Sequence, residues 1–124
     1  MKCSHSARTD VARHREHNED DYGVGEGAHV GERGHLFVVC DGMGGHEAGE
    51  VASRIAVESI LSAYYNDPNE DRGAALSVAF DYANTSIFNE GTLSGISMGT
   101  TGVAAIMHHD ECVVANVGDS RAYL

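Results

Sequence analysis

The apolar run LFVVC at positions 36–40 leads straight into Asp41, and Gly42, Gly44 and Gly45 follow within four residues. A carboxylate at the end of a buried strand must be solvated, paired or bound to a cation, because burying it alone is costly. The glycines let the main chain turn closely, so a peptide carbonyl or N–H can reach a ligand that Asp41 holds. The same residues also read as a plain turn whose aspartate caps its own backbone. No GKS or GKT follows the glycines, which excludes a P-loop.

Upstream, NEDD at 18–21 offers more carboxylates. Neighbours on an extended strand point to opposite faces, so Glu19 and Asp20 cannot both chelate one ion directly unless the strand bulges. One or both could act through water on the ion instead. Hard oxygen ligands without a matching His or Cys set favour Mg²⁺ or Mn²⁺ over zinc. The bland reading of NEDD is a solvated charge run. Arg15, four residues before Glu19, shares an extended face with it and could present its fork to a phosphate beside such ions. Asp119 follows another apolar stretch and suits a further ligand, a partner for Arg121 or a turn cap. Thr100 and Thr101 read as hydroxyls satisfying backbone at a strand start. His46 follows the glycines at the head of a helix, where it could cap or meet solvent. Met43 has no acid–base capacity, so it can only pack or shape the turn.

The elements that must position these residues follow from periodicity. Short strands are expected around 11–15 and 20–24, and GEGAHVGERG (25–34) reads as a turn or loop. LFVVC, β-branched and aromatic and stopped by DG, is a strand. The period then changes. Residues 47–64 place Val51, Ile55 and Ser59 on one face, with Ala48, Ala52, Ala56 and Ile60 widening the stripe into an amphipathic helix. A second helix over 70–89 keeps Leu76, Phe80, Ala83 and Ile87 at spacings of four, three and four, with Gly91 as its stop. GTLSGISMGTTG (91–102) reads as a loop. VAAIM and CVVANV flank HHDE as a hairpin, GDSR turns, and AYL begins another strand. Two consecutive helices between groups of strands predict helices packed on an antiparallel sheet.

Composition sets the outer limits. The 124 residues suit one domain, and 42% apolar residues with a single proline suit a folded one. A formal charge of −11, from 19 acidic and 8 basic residues, argues against nucleic acid as a partner. No run approaches the roughly 20 apolar residues of a membrane span, and MKCSHSARTD has no apolar stretch of a secretory signal. Cys3, Cys40 and Cys112 show no CxxC spacing. Two lie in apolar runs, where a thiol behaves as a small hydrophobe, and this points to a reducing, cytoplasmic setting. CSHSARTDVARHREH contains zinc-ligand types without the tight paired spacings of structural zinc sites.

Taken together, REHNED (15–20), VVCDGMGGHEAGEVAS (38–53), GTTG (99–102) and NVGDSRAYL (116–124) resemble the metal-dependent protein serine/threonine phosphatases of type 2C, the PPM family, especially its bacterial members. The resemblance runs from about residue 11 to the end. It implies an α+β fold, an antiparallel β-sandwich flanked by helices in four αββα layers. Residues 11–124 would be the N-terminal portion of that domain, after a flexible stretch over 1–10. It implies hydrolysis of phosphoserine and phosphothreonine on proteins, the products of a Ser/Thr kinase, by water activated between two Mg²⁺ or Mn²⁺ ions. By the same resemblance Asp41 bridges both ions, and Gly42 offers its carbonyl to one. Glu19 and Asp20 hold ion-bound waters or ligate at the edge, and Arg15 grips the phosphate. Asp119 corresponds to a turn aspartate with a structural role. Some members carry a histidine where Met43 stands, and His46 is not its counterpart. Further aspartates of the family come from its C-terminal half, so the expectation is a partial site that binds metal weakly. The competing expectation is an inactive regulatory or protein-binding module on the same fold.

Overall fold

A computed structural model of the chain describes residues 3–11, 17–45 and 47–124. Its elements run β1 (Asp20–Val24), α1 (His29–Arg33), β2 (His35–Gly44), α2 (Ala48–Asn66), α3 (Arg72–Ser94), β3 (Met98–Thr100), β4 (Gly102–His108) and β5 (Glu111–Val117). The sheet is antiparallel throughout, in the order β1-β2-β4-β5, and β3 pairs with the far end of β2. The helices α2 and α3 pack side by side against one face of this sheet. The α+β expectation is met: an antiparallel sheet covered by helices, the arrangement of part of an αββα sandwich.

Alternation along β2 decides which face is covered. Leu36, Val38 and Cys40 are fully buried beneath the helices, whereas Val39 and Asp41 on the opposite face are exposed. Cross-strand partners share a face, so Tyr22 (opposite Val39) and Asp20 (opposite Asp41) join them there. Val38 and Leu36 meet Ala104 and Ile106 of β4 on the helix side. The buried stripe of α2 is Ala48, Ala52, Ala56 and Ile60, completed by Gly49, Ser53, Val57 and Tyr64. Val51, Ile55 and Ser59, expected to lead that face, lie only half-buried at its margin. Small alanines let the helix pack closely in the core, and that outweighs side-chain bulk in choosing the buried face.

Other expectations shift. The 25–34 stretch holds a short helix, α1, where a loop was expected. Arg72 explains it, donating to the carbonyls of Glu32 at 2.9 Å and Arg33 at 3.3 Å and so satisfying the exposed end of that turn. The second helix starts at Arg72, capped by the Asp71 carboxylate that accepts from Ala74 N–H at 3.1 Å. It passes through Gly91 and stops at Gly95, whose φ of 67° is the left-handed conformation that ends helices. Within 91–102 the expected loop gives way to the last turn of α3 and to β3. AYL forms no strand, and Cys112 is exposed rather than packed. Of the strand expected over 11–15, Val11 lies outside any element and the rest falls outside the described residues.

Candidate metal centre

Two segments, NEDD and the end of β2, bring three carboxylates to one end of the sheet. Asp20 and Asp41 are direct partners in the β1–β2 register, so their side chains leave the same face of adjacent strands. Such pairs stand about 4.5–5.5 Å apart at Cβ, close enough for both carboxylates to reach one bound ion. Glu19 arrives from the other side of the pleat. Its main-chain carbonyl accepts from Gly42 N–H at 2.9 Å, pinning the NEDD segment to the end of β2.

The two glycines Gly42 and Gly49 make the corner. A Cβ on Gly42 would lie 1.8 Å from the Gly49 carbonyl oxygen, so only bare backbone lets β2 meet the first turn of α2. A Cβ on Gly49 would lie 1.9 Å from Glu19 Oε2; the Glu19 carboxylate therefore occupies the space beside the α2 N-terminus. A negative group there is favoured by the helix dipole, by about 0.3–1 kcal/mol. His17 Nδ1 lies 3.2 Å from the Glu50 carboxylate in the same turn.

The result is a polar cavity of about 150 Å³ lined by Asp10, Val11, His17, Asn18, Glu19, Asp20 and Asp41. Its donors are hard oxygens with one imidazole, a set that fits Mg²⁺ or Mn²⁺. Among the described residues no three His, Cys, Asp or Glu side chains converge into a ready-made ligand cluster; these carboxylates ring the cavity rather than meet at one point.

Behind Asp41, Cys40 is buried on the helix side. Burial, reinforced by the nearby Asp21 charge, pushes its thiol up to about 12, so it is inert packing rather than a nucleophile. Thr101 carries the backbone role expected of it: its N–H donates to the Asp41 carbonyl at 2.9 Å, and its Oγ1 accepts from the Asp41 N–H at 3.1 Å.

Glu19, Asp20, Asp41 and Gly42, singled out in the sequence, are thus brought together. Arg15 and His46 lie outside the described residues. Asp119 is exposed in its turn, and Arg121 donates to the Tyr123 hydroxyl at 3.2 Å; among the described residues no ion pair joins the two. Sequence reasoning passed over Asp10, His17 and Gly49. A trace of Gly49 was present: it lies in the first turn of the helix that the glycine-rich segment introduces, where a small residue permits close approach.

The comparisons with known proteins decide the family. Residues 3–124 match PP2C, protein phosphatase 2C. This chain belongs to the protein phosphatase 2C family. It is 42% identical over 123 residues to the serine/threonine phosphatase stp of Listeria monocytogenes serotype 4b, covering 94% of this chain and 48% of that protein. Among solved structures, the PP2C chain resembles the catalytic domain of the serine/threonine protein phosphatase PstP in complex with two manganese ions. The TM-score is 0.76 at 33% identity, covering 94% of this chain and 48% of that one. It also resembles the S. agalactiae serine/threonine phosphatase, with a TM-score of 0.79 at 30% identity over 92% of this chain and 48% of that chain. The chain spans about half the length of the relatives it matches. Among the described residues no helix is long and apolar enough to cross a membrane.

Proposed function

We propose that this PP2C chain contributes the Asp20–Asp41 side of a metal-dependent phosphatase centre that hydrolyses phosphoserine and phosphothreonine monoesters on proteins. The observation that carries the reading is the pairing of Asp20 with Asp41 at the rim of a carboxylate-lined cavity. Two carboxylates held in register on one face offer a divalent cation hard oxygen donors from adjacent strands. Asp41 and Asp20 would hold Mg²⁺ or Mn²⁺, with the Gly42 carbonyl beside them and Glu19 at the edge. When bound, such ions acidify water and neutralise charge on phosphoryl oxygens.

The chain's own residues supply position. Thr101 and Glu19 hold the main chain of Asp41 and Gly42 through the bonds already described, which aims the carboxylates at the cavity. Arg15 would grip the phosphate with its guanidinium fork. Met43 cannot protonate the leaving alcohol, so that proton comes from water or from another group. The exposed sheet face bearing Tyr22, Val39 and Val114 supports a further reading, that residues 11–124 form the N-terminal portion of a PP2C domain and that this face meets the second sheet of the sandwich. The substrates would be the products of a protein Ser/Thr kinase, and three free cysteines support a cytoplasmic setting.

The test is hydrolysis of para-nitrophenyl phosphate by the 124-residue chain, with and without Mn²⁺. Turnover should require Mn²⁺, vanish with EDTA and fall at least about 100-fold in Asp41→Asn. Equal turnover after chelation would refute the reading.

A further inference from the structure

The ladder that holds Asp41 contains a substitution of its own. In the register running from Val39↔Val103 to Gly42↔Thr100, Thr101 falls opposite Asp41. A regular antiparallel pair at such a position exchanges two backbone bonds, N–H to C=O in each direction. Here Thr101 N–H donates to the Asp41 carbonyl, yet the Asp41 N–H is received by the threonine hydroxyl. The Thr101 carbonyl instead accepts from the Thr100 hydroxyl at 2.8 Å. One side chain has replaced one backbone acceptor, at the residue whose carboxylate faces the cavity.

The hydroxyl is itself held. Thr101 is buried, and its Oγ1 shares a hydrogen bond with the Ser120 hydroxyl. The 118–120 turn packs onto it so tightly that a Cβ on Gly118 would lie 2.7 Å from Thr101 Cγ2. The turn that follows β5 therefore reaches across to the main chain of Asp41 through one threonine.

We propose that Thr101, oriented by Ser120, is a positioning residue that sets the direction of the Asp41 carboxylate and thereby the cation affinity of the site. The inference rests on the reading of Asp41 as a metal ligand. Both bonds to Asp41 flank its Cα, so together they fix the direction in which the side chain leaves the strand. Ser120 restricts the Thr101 hydroxyl to the rotamer that meets the Asp41 N–H. Partners that orient a ligand from behind are worth about 10–100-fold in metal affinity.

The experiment measures Mn²⁺ affinity by electron paramagnetic resonance of the free ion, and hydrogen exchange at the Asp41 amide without metal, in the 124-residue chain. Asp41→Asn should abolish binding. Thr101→Val and Ser120→Ala should each weaken it about tenfold with thermal melting retained, and Thr101→Ser should restore it. Thr101→Val should also speed exchange at the Asp41 amide about tenfold or more. If Asp41→Asn binds Mn²⁺ as the unaltered chain does, the metal reading falls, and the amide exchange then decides the clamp alone. If Asp41→Asn loses binding while Thr101→Val and Ser120→Ala keep it within about twofold, the positioning role is overturned and the metal reading stands.

Discussion

Replacing Gly49 with alanine separates the stability of the PP2C chain from its cation site. The position lies in the first turn of α2, where alanine is a better helix former than glycine by about 1 kcal/mol. Against that gain stand two contacts. The new methyl would meet the Gly42 carbonyl carbon at 3.0 Å, a backbone contact relieved by a shift of a few tenths of an ångström. Tight packing of this kind costs about 1 kcal/mol at the low end of overpacking. It would also meet Glu19 Oε2 at 1.9 Å and Cδ at 2.7 Å, which no small shift relieves. The Glu19 carboxylate is the end of a flexible side chain, so it swings away.

The two backbone-level effects nearly cancel, leaving the melting temperature within roughly 5 °C of the unaltered chain. The displaced carboxylate no longer edges the cavity, so Mn²⁺ affinity should fall about tenfold. Thermal melts followed by circular dichroism and Mn²⁺ titration by electron paramagnetic resonance measure both on one sample. Glu19→Gln and the double variant complete a cycle: if the loss passes through Glu19, the double variant binds Mn²⁺ no worse than Glu19→Gln. A folded Gly49→Ala chain with unaltered Mn²⁺ affinity would refute the argument, as would fully additive losses in the double variant.

Two further outcomes follow from the buried groups. Iodoacetamide at pH 8 should alkylate exposed Cys112 within minutes and leave Cys40 untouched until the chain unfolds, as read by mass spectrometry; alkylation of both at equal rates would contradict the burial of Cys40. Burial raises the folded pKa of Cys40 from 9.0 to about 12 and also raises those of Tyr64 and Tyr65. Each group binds its proton more tightly when folded, so the stability it contributes is intact below the unfolded pKa and is lost as pH rises through the folded value. Urea midpoints should therefore fall from about pH 9 toward pH 12, and Cys40→Ala should flatten part of that fall; a midpoint independent of pH over this range would refute the assignment.

Much of this was legible in the chain because it rests on local signals. LFVVC announced a buried strand by composition and length, and the helices announced themselves by period. The carboxylates could be named from their place at strand ends. What could not be read was the choice among faces and partners. Val51 and Ile55 outrank Ala52 and Ala56 in hydrophobicity, yet the alanines are the buried residues, because close packing of α2 on its neighbours favours the smallest side chains. The turn of helix at 29–33 depends on Arg72, some forty residues away. Local propensity carries no trace of such a partner. Within the site, the pairing of Asp20 with Asp41 required the β1–β2 register, which the sequence bounds but does not state. The part played by Thr101 required the β2–β4 register in the same way.

The register of β2 is itself held by the helix side of the sheet. Leu36, Val38 and Cys40 are buried at consecutive alternate positions, and a slip of one residue would turn all three to the open face and drive Asp41 beneath α2. Burying that carboxylate unpaired would cost several kcal/mol, and exposing Leu36 and Val38 would cost about 1.5–3 kcal/mol each. Both penalties oppose the same error, so the apolar residues that stabilise the fold also specify where the charge goes. Gly42 continues the alternation on the buried face and contributes by lacking a side chain: there α2 touches the strand, and Glu19 is carried to the cavity by that contact. A larger residue at 42 would therefore damage packing and site together. A substitution at Asp41 removes only the charge that the rest of the strand was arranged to present.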